Sequence, residues 1–112
     1  MPRSAATVLV ALMVFTTLCG TFAWSSGVEY TVNRGIRHPA FYLAVFVVLC
    51  GFVIRQKQVG WLFMLLYFAM EWLGIVILVF FKNESPPLLQ CLFMGGALGT
   101  GLFCLKYRIH FD

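Results

Sequence analysis

One acidic residue, Glu71, lies in the middle of a stretch that contains no other charged residue and is the side chain best suited to chemistry. The stretch runs for about 22 residues from Gly60 to Phe81, and at about 1.5 Å per residue it crosses the roughly 30 Å hydrocarbon core of a bilayer. A carboxylate near the midplane costs about 2.5–3.5 kcal/mol on insertion scales. We therefore expect Glu71 to face protein or trapped water, and to be protonated or paired.

Three alternative roles for Glu71 are compatible with this position. The first is a protonated side chain that joins helices, the second is an anchor for a cation or a helix of a partner protein, and the third is a carrier of a proton or cation. Tyr67 is the only polar residue at helical spacing from Glu71. Candidate hydrogen-bond partners on other helices are Thr16, Thr17 and Thr100.

The composition places the whole chain in a membrane. Of its 112 residues, 62% are hydrophobic and 11% are charged, whereas a soluble domain carries about 25% charged residues. The net charge of +4 is spread over termini and connections, which is typical of orienting charges and does not indicate nucleic-acid binding.

Apolar stretches divide the chain into four predicted helices with short loops. The predicted fold is an all-α, multi-pass membrane protein in which residues 1–112 form a single four-helix bundle. The first stretch exceeds the apolar core of a signal peptide, so we expect it to remain as a helix. The helices are expected at about residues 5–24, 39–54, 60–81 and 88–107.

The fourth predicted helix is rich in small residues that recur at four-residue spacing. Such pairs let the backbone of a neighbouring helix approach closely, either within the bundle or in another chain. The predicted contact residues are Gly95, Gly96, Gly99, Thr100 and Gly101.

The distribution of basic residues predicts that both termini are cytoplasmic. That side then holds five basic residues and the other side three, in agreement with the positive-inside rule. The five are Arg3, Arg55, Lys57, Lys106 and Arg108, and the three are Arg34, Arg37 and Lys82.

Four helices in about 110 residues, one membrane carboxylate and a Gly-rich fourth helix resemble the small multidrug resistance transporters. In that family the glutamate lies in the first helix, where this chain has no acid, so no site residue is carried over.

Arg37-His38-Pro39-Ala40-Phe41 resembles an element of membrane methyltransferases of the isoprenylcysteine and phospholipid type, but the downstream acids of that family are absent here.

The sequence predicts neither a catalytic site nor a metal or cofactor site. The four cysteines lie in apolar stretches without metal-ligand spacing, and no nucleophile motif or nucleotide fingerprint occurs. We expect a non-catalytic accessory, assembly or inhibitory (immunity-like) subunit that packs against another membrane protein. The alternative is a homo-oligomeric transporter or channel in which Glu71 binds the proton or cation.

Overall fold

Four α-helices make up the bundle in a computed structural model that describes residues 3–27, 39–83 and 85–111. No strand occurs among these residues, so the predicted all-α class with four helices is confirmed. The helices are α1 (Arg3–Ser25), α2 (Pro39–Ile54), α3 (Gln58–Ile77) and α4 (Leu88–Lys106). A π-helical turn (Leu78–Lys82) continues α3, and a 3₁₀ turn (Arg108–His110) follows α4.

Two tight turns each place one residue in the left-handed region of backbone space. Gln56 has φ of 57° in the connection between α2 and α3, where the N–H of Lys57 donates to the carbonyl of Phe52. Asn83 has φ of 55° at the end of the π-helical turn, and its N–H donates to the carbonyl of Leu78. Asn is one of the few residues that adopts this conformation at modest cost.

Three of the helices are long and apolar enough to cross a membrane. These are α1 with 23 residues, α3 with its π-helical turn, together 25 residues, and α4 with 19 residues. By contrast, α2 has 16 residues and spans about 24 Å, which is shorter than the roughly 30 Å hydrocarbon core.

The helices pack in a ring in which consecutive helices are neighbours and α1 closes against α4. The contacts have antiparallel register. Gly60 of α3 lies against Val53 of α2, and Gly20 of α1 lies against Phe93 of α4. Consequently α2 and α4 face each other diagonally across the bundle.

Three aromatic side chains fill the centre, one each from α2, α3 and α4. The ring centroids of Phe46 and Phe68 are 6.4 Å apart, those of Phe46 and Phe93 are 5.6 Å apart, and those of Phe68 and Phe93 are 5.8 Å apart. All three pairs meet edge to face, the arrangement that the ring quadrupole favours. We call these fully buried residues the aromatic triad.

Candidate functional site: a buried acid and an apolar groove

Glu71 lies on the side of α3 that faces the bundle interior. Its neighbours along this face are Phe68 and Ile75, which are both buried, and Glu71 itself is 9% exposed. The hydroxyl group of Tyr42 on α2 donates a hydrogen bond to its carboxyl group. The acid is therefore held within the chain and is turned away from lipid.

The sequence analysis did not identify Tyr42, although the chain contains a signal that predicts it. Tyr42 is 14 residues before Gln56, and Glu71 is 14 residues after Lys57. Because a tight turn makes α2 and α3 antiparallel, residues equally far from it lie at the same level. Counting outwards from the turn would have placed the tyrosine beside the acid.

Tyr67, which the sequence placed next to Glu71, lies one turn before it on α3 and is half-buried. Its ring centroid is 6.2 Å from that of Tyr42 and 5.0 Å from that of Phe68. Tyr67 therefore packs beside the pair formed by Tyr42 and Glu71.

The threonines expected as partners of Glu71 bond to their own helices instead. The hydroxyl groups of Thr16 and Thr17 donate to carbonyl oxygens four residues earlier on α1, at 2.8 Å each. Thr100 donates to the carbonyl of Gly96 on α4, also at 2.8 Å. This bond satisfies the hydroxyl group locally, as is common for threonine in helices.

Gln90 is a second buried polar residue that the sequence analysis missed. It is 0% exposed, and neither its amide oxygen nor its amide nitrogen has a hydrogen-bond partner. The Oε2 atom of Glu71 also lacks a partner. Gln90 lies in the first turn of α4, where the sequence favours an interfacial residue, and only the packing of the bundle shows that it is buried.

The small residues of α4 contact helices of their own chain. A Cβ atom added at Gly96 would collide with the side chain of Thr16 on α1, and one at Gly101 would lie 2.8 Å from Leu65 on α3. Added Cβ atoms at Gly95 and Gly99 would make ordinary contacts with Trp72 and Leu12, while Thr100 is fully buried. Gly96, Thr100 and Gly101 are therefore closely packed within the bundle, whereas Gly95 is exposed and Gly99 is partly exposed.

An apolar groove runs between α1 and α2 on the outside of the bundle and has a volume of about 520 Å³. A Cβ atom added at Gly51, in its α2 wall, would meet no atom within 4 Å. The groove is lined by Val10, Met13, Val14, Thr17, Leu18, Val47, Cys50, Gly51 and Ile54.

Metal-binding chemistry is not evident within residues 3–27, 39–83 and 85–111, which bring together no group of three His, Cys, Asp or Glu side chains. Several residues that the sequence singled out lie outside these ranges. They are Arg34, Arg37 and His38, which precede α2.

No family model, curated protein or solved structure matches this chain. The functional argument therefore depends on the geometry of the bundle.

Proposed function

We propose that this protein is a non-catalytic membrane subunit that binds a transmembrane helix of another protein in the groove between α1 and α2. The open groove is the observation that carries this proposal. It continues along α1 from Val10 to Leu18 and along α2 from Val47 to Ile54, about two helical turns on each wall. An elongated apolar groove of this kind fits the side chains on one face of a helix.

Gly51 supports a helix as the occupant. Association between helices in lipid depends on close van der Waals packing, and small residues allow it because they let backbones approach. Gly96 and Gly101 of α4 lie tightly against neighbouring helices, but the space beside Gly51 is open. A partner helix could approach α2 closely at Gly51, as α1 and α3 approach α4 at Gly96 and Gly101.

The length of α2 gives a second argument. A helix of about 24 Å is short for a bilayer, and membrane proteins accommodate such helices by local thinning, by polar flanks or by oligomerisation. A full-length partner helix beside α2 would shield its ends from lipid. In our proposal both termini are cytoplasmic, as the distribution of basic residues predicts.

The geometry supports the alternative function, a homo-oligomeric transporter or channel, less than it supports the binding of a partner helix. The aromatic triad fills the centre of the bundle, and Glu71 bonds to Tyr42 inside one chain. Gly96 and Gly101, two of the small residues expected at a helix contact, lie tightly against Thr16 and Leu65 of their own chain. These features support a packing role over a pathway for ions.

Replacement of Gly51 tests the proposal because a larger side chain fills the groove without a clash inside the bundle. We expect Gly51→Leu to fold normally and to lose a partner that co-purifies in stoichiometric amount with the wild type in mild detergent. Leu66→Trp is the control, since it enlarges an exposed side chain on α3 and should keep the partner. Retention of the partner by Gly51→Leu, or a wild type that forms only homo-oligomers, contradicts the proposal.

A further inference from the structure

Exposed basic side chains gather at one end of the bundle. Because neighbouring helices are antiparallel, α1 and α3 begin at this end, and α2 and α4 end there. We call it the basic end. Its basic residues, all exposed, are Arg3, Arg55, Lys57, Lys106 and Arg108.

The segment after α4 lies across the ends of α1 and α2. Phe111 is 8% exposed and lines a small apolar hollow together with Leu9 of α1 and Val53 of α2. Its N–H donates to the carbonyl of Arg108 at 3.1 Å, which keeps the turn that carries Arg108 at this end. The packing of Phe111 therefore adds a further positive charge beside the end of α2.

The basic end has almost no acid to balance it. Among the described residues the one acidic side chain is Glu71, which is buried about 21 Å along α3 from Lys57. In the sequence, Asp112 is the acidic residue next to this end. The positive-inside rule predicts that this end is cytoplasmic, the side on which the membrane surface carries anionic lipids.

An open apolar groove on the outer face of α2 leads to one of these basic residues. Its first section has a volume of about 190 Å³ and is lined by Val48, Gly51, Phe52 and Arg55. The second section shares Val48, extends to Phe41 and has a volume of about 280 Å³. We call the two sections together the outer α2 groove.

The dimensions of the outer α2 groove suit one lipid acyl chain. From Arg55 to Phe41 it runs about 21 Å along the helix, which is more than half of the roughly 30 Å hydrocarbon core. An acyl chain of one leaflet therefore fits along it while the headgroup remains beside Arg55. Val48 and Phe41 are 58% and 40% exposed, so the chain is not blocked by another helix of the bundle.

The charges of the basic end favour one class of headgroup. A guanidinium group donates paired hydrogen bonds to phosphate oxygens, and Arg55 lies where the groove meets this end. A zwitterionic headgroup would bring an ammonium group close to Lys57 and the other basic residues. An anionic headgroup brings net negative charge and avoids this repulsion.

We propose that the outer α2 groove binds a phospholipid with an anionic headgroup. Arg55 binds the phosphate, Lys57 adds positive charge, and one acyl chain lies along Val48 towards Phe41. Gly51 is the residue that this groove shares with the groove between α1 and α2. The inference does not depend on the proposed partner helix, because it is tested with the isolated protein.

The test measures thermal unfolding of the purified protein in mixed micelles of detergent and phospholipid. Phosphatidylcholine is replaced stepwise by phosphatidylglycerol with the same acyl chains, at constant total lipid and ionic strength. A ligand that binds the folded state raises Tm with its concentration. We expect phosphatidylglycerol to raise the Tm of the wild type by about 4 °C or more, in a saturable way. Inorganic phosphate, which has no acyl chain, should not reproduce the rise.

Variants assign the effect to the outer α2 groove. Arg55→Gln removes the charge at its end and Val48→Trp fills its middle, and each should lose at least half of the rise. Arg55→Lys keeps the charge and should retain more of the rise than Arg55→Gln. Lys106→Gln is the matched control, because it removes the same charge at the same end on α4, diagonally across the bundle, and should keep the full rise.

Three results would overturn the proposal. A Tm that is the same in both lipids would show that the headgroup is not recognised. An equal rise in Arg55→Gln and the wild type would place the lipid elsewhere. A loss in Lys106→Gln as large as that in Arg55→Gln would show a general effect of surface charge without a site on α2.

Discussion

The hydroxyl group of Tyr42 on α2 donates a hydrogen bond to the carboxyl group of Glu71 on α3. This bond joins the shortest of the four helices to the helix that carries the acid, close to where α2 begins at Pro39. In lipid, helices gain little from the hydrophobic effect when they associate, so polar contacts and close packing determine which faces meet. The pair therefore helps to fix the position of α2 against α3.

Removal of the tyrosine hydroxyl group should weaken the bundle measurably. Because the pair is buried, we expect Tyr42→Phe to lower the free energy of unfolding by about 0.5–2 kcal/mol, the range measured for hydrogen bonds between membrane helices. Unfolding in mixed micelles, followed by circular dichroism, provides the measurement. Tyr107→Phe at the end of α4 is the control and should change the value by less than about 0.5 kcal/mol.

Replacements at Glu71 should separate the need for a polar atom from the need for a particular charge. Glu71→Gln keeps the size of the side chain and an oxygen that accepts from Tyr42, so we expect a folded, monodisperse protein. Glu71→Lys places an ammonium group in the same buried position without an acid to pair with it, and we expect it not to fold. Size-exclusion chromatography and circular dichroism distinguish these outcomes. A well-folded Glu71→Lys protein would show that the position opens to water or lipid headgroups.

Two glycines near the turn between α2 and α3 should respond oppositely to the same substitution. A Cβ atom at Gly60 would lie 2.8 Å from the backbone nitrogen of Val53 and 3.0 Å from the carbonyl oxygen of Leu49, so the helices would have to separate. We expect Gly60→Ala to lower the free energy of unfolding by about 1–3 kcal/mol.

Gly51→Ala is the matched control for Gly60→Ala because its added methyl group would enter the open groove. It should be neutral, or stabilising by up to about 1 kcal/mol through the higher helix propensity of alanine. Equal losses in both variants would contradict the close approach of α2 and α3 at Gly60.

The fold followed from the sequence more completely than the site did. Apolar stretches separated by short loops predict four helices. Each observed helix end, with the π-helical turn counted as part of α3, lies within two residues of its expected position. Gln58 extends the start of α3 because the chain turns at Gln56, and a polar residue is tolerated in the first turn of a helix.

Side-chain partners depend on which helix faces meet, and a single sequence does not contain this information for α4. The burial of Gln90 results from the approach of α4 to its neighbours, whereas its position near a helix start favours exposure to an interface. Tyr42 was accessible to prediction through its distance from the turn. The groove between α1 and α2 could not be predicted, because it lies where two apolar helix faces do not pack fully against each other.

Site-specific photo-crosslinking inside the membrane tests the proposed binding of a partner helix most directly. A photoreactive phenylalanine analogue is placed at Val14 and Val47, which line the two walls of the groove, and at Leu66 on the exposed face of α3 as the control. We predict that Val14 and Val47 crosslink to one protein of different sequence, that Leu66 does not, and that Gly51→Leu abolishes both products. Crosslinks only between copies of this chain, or a product at Leu66 that matches those at the groove, would contradict the account.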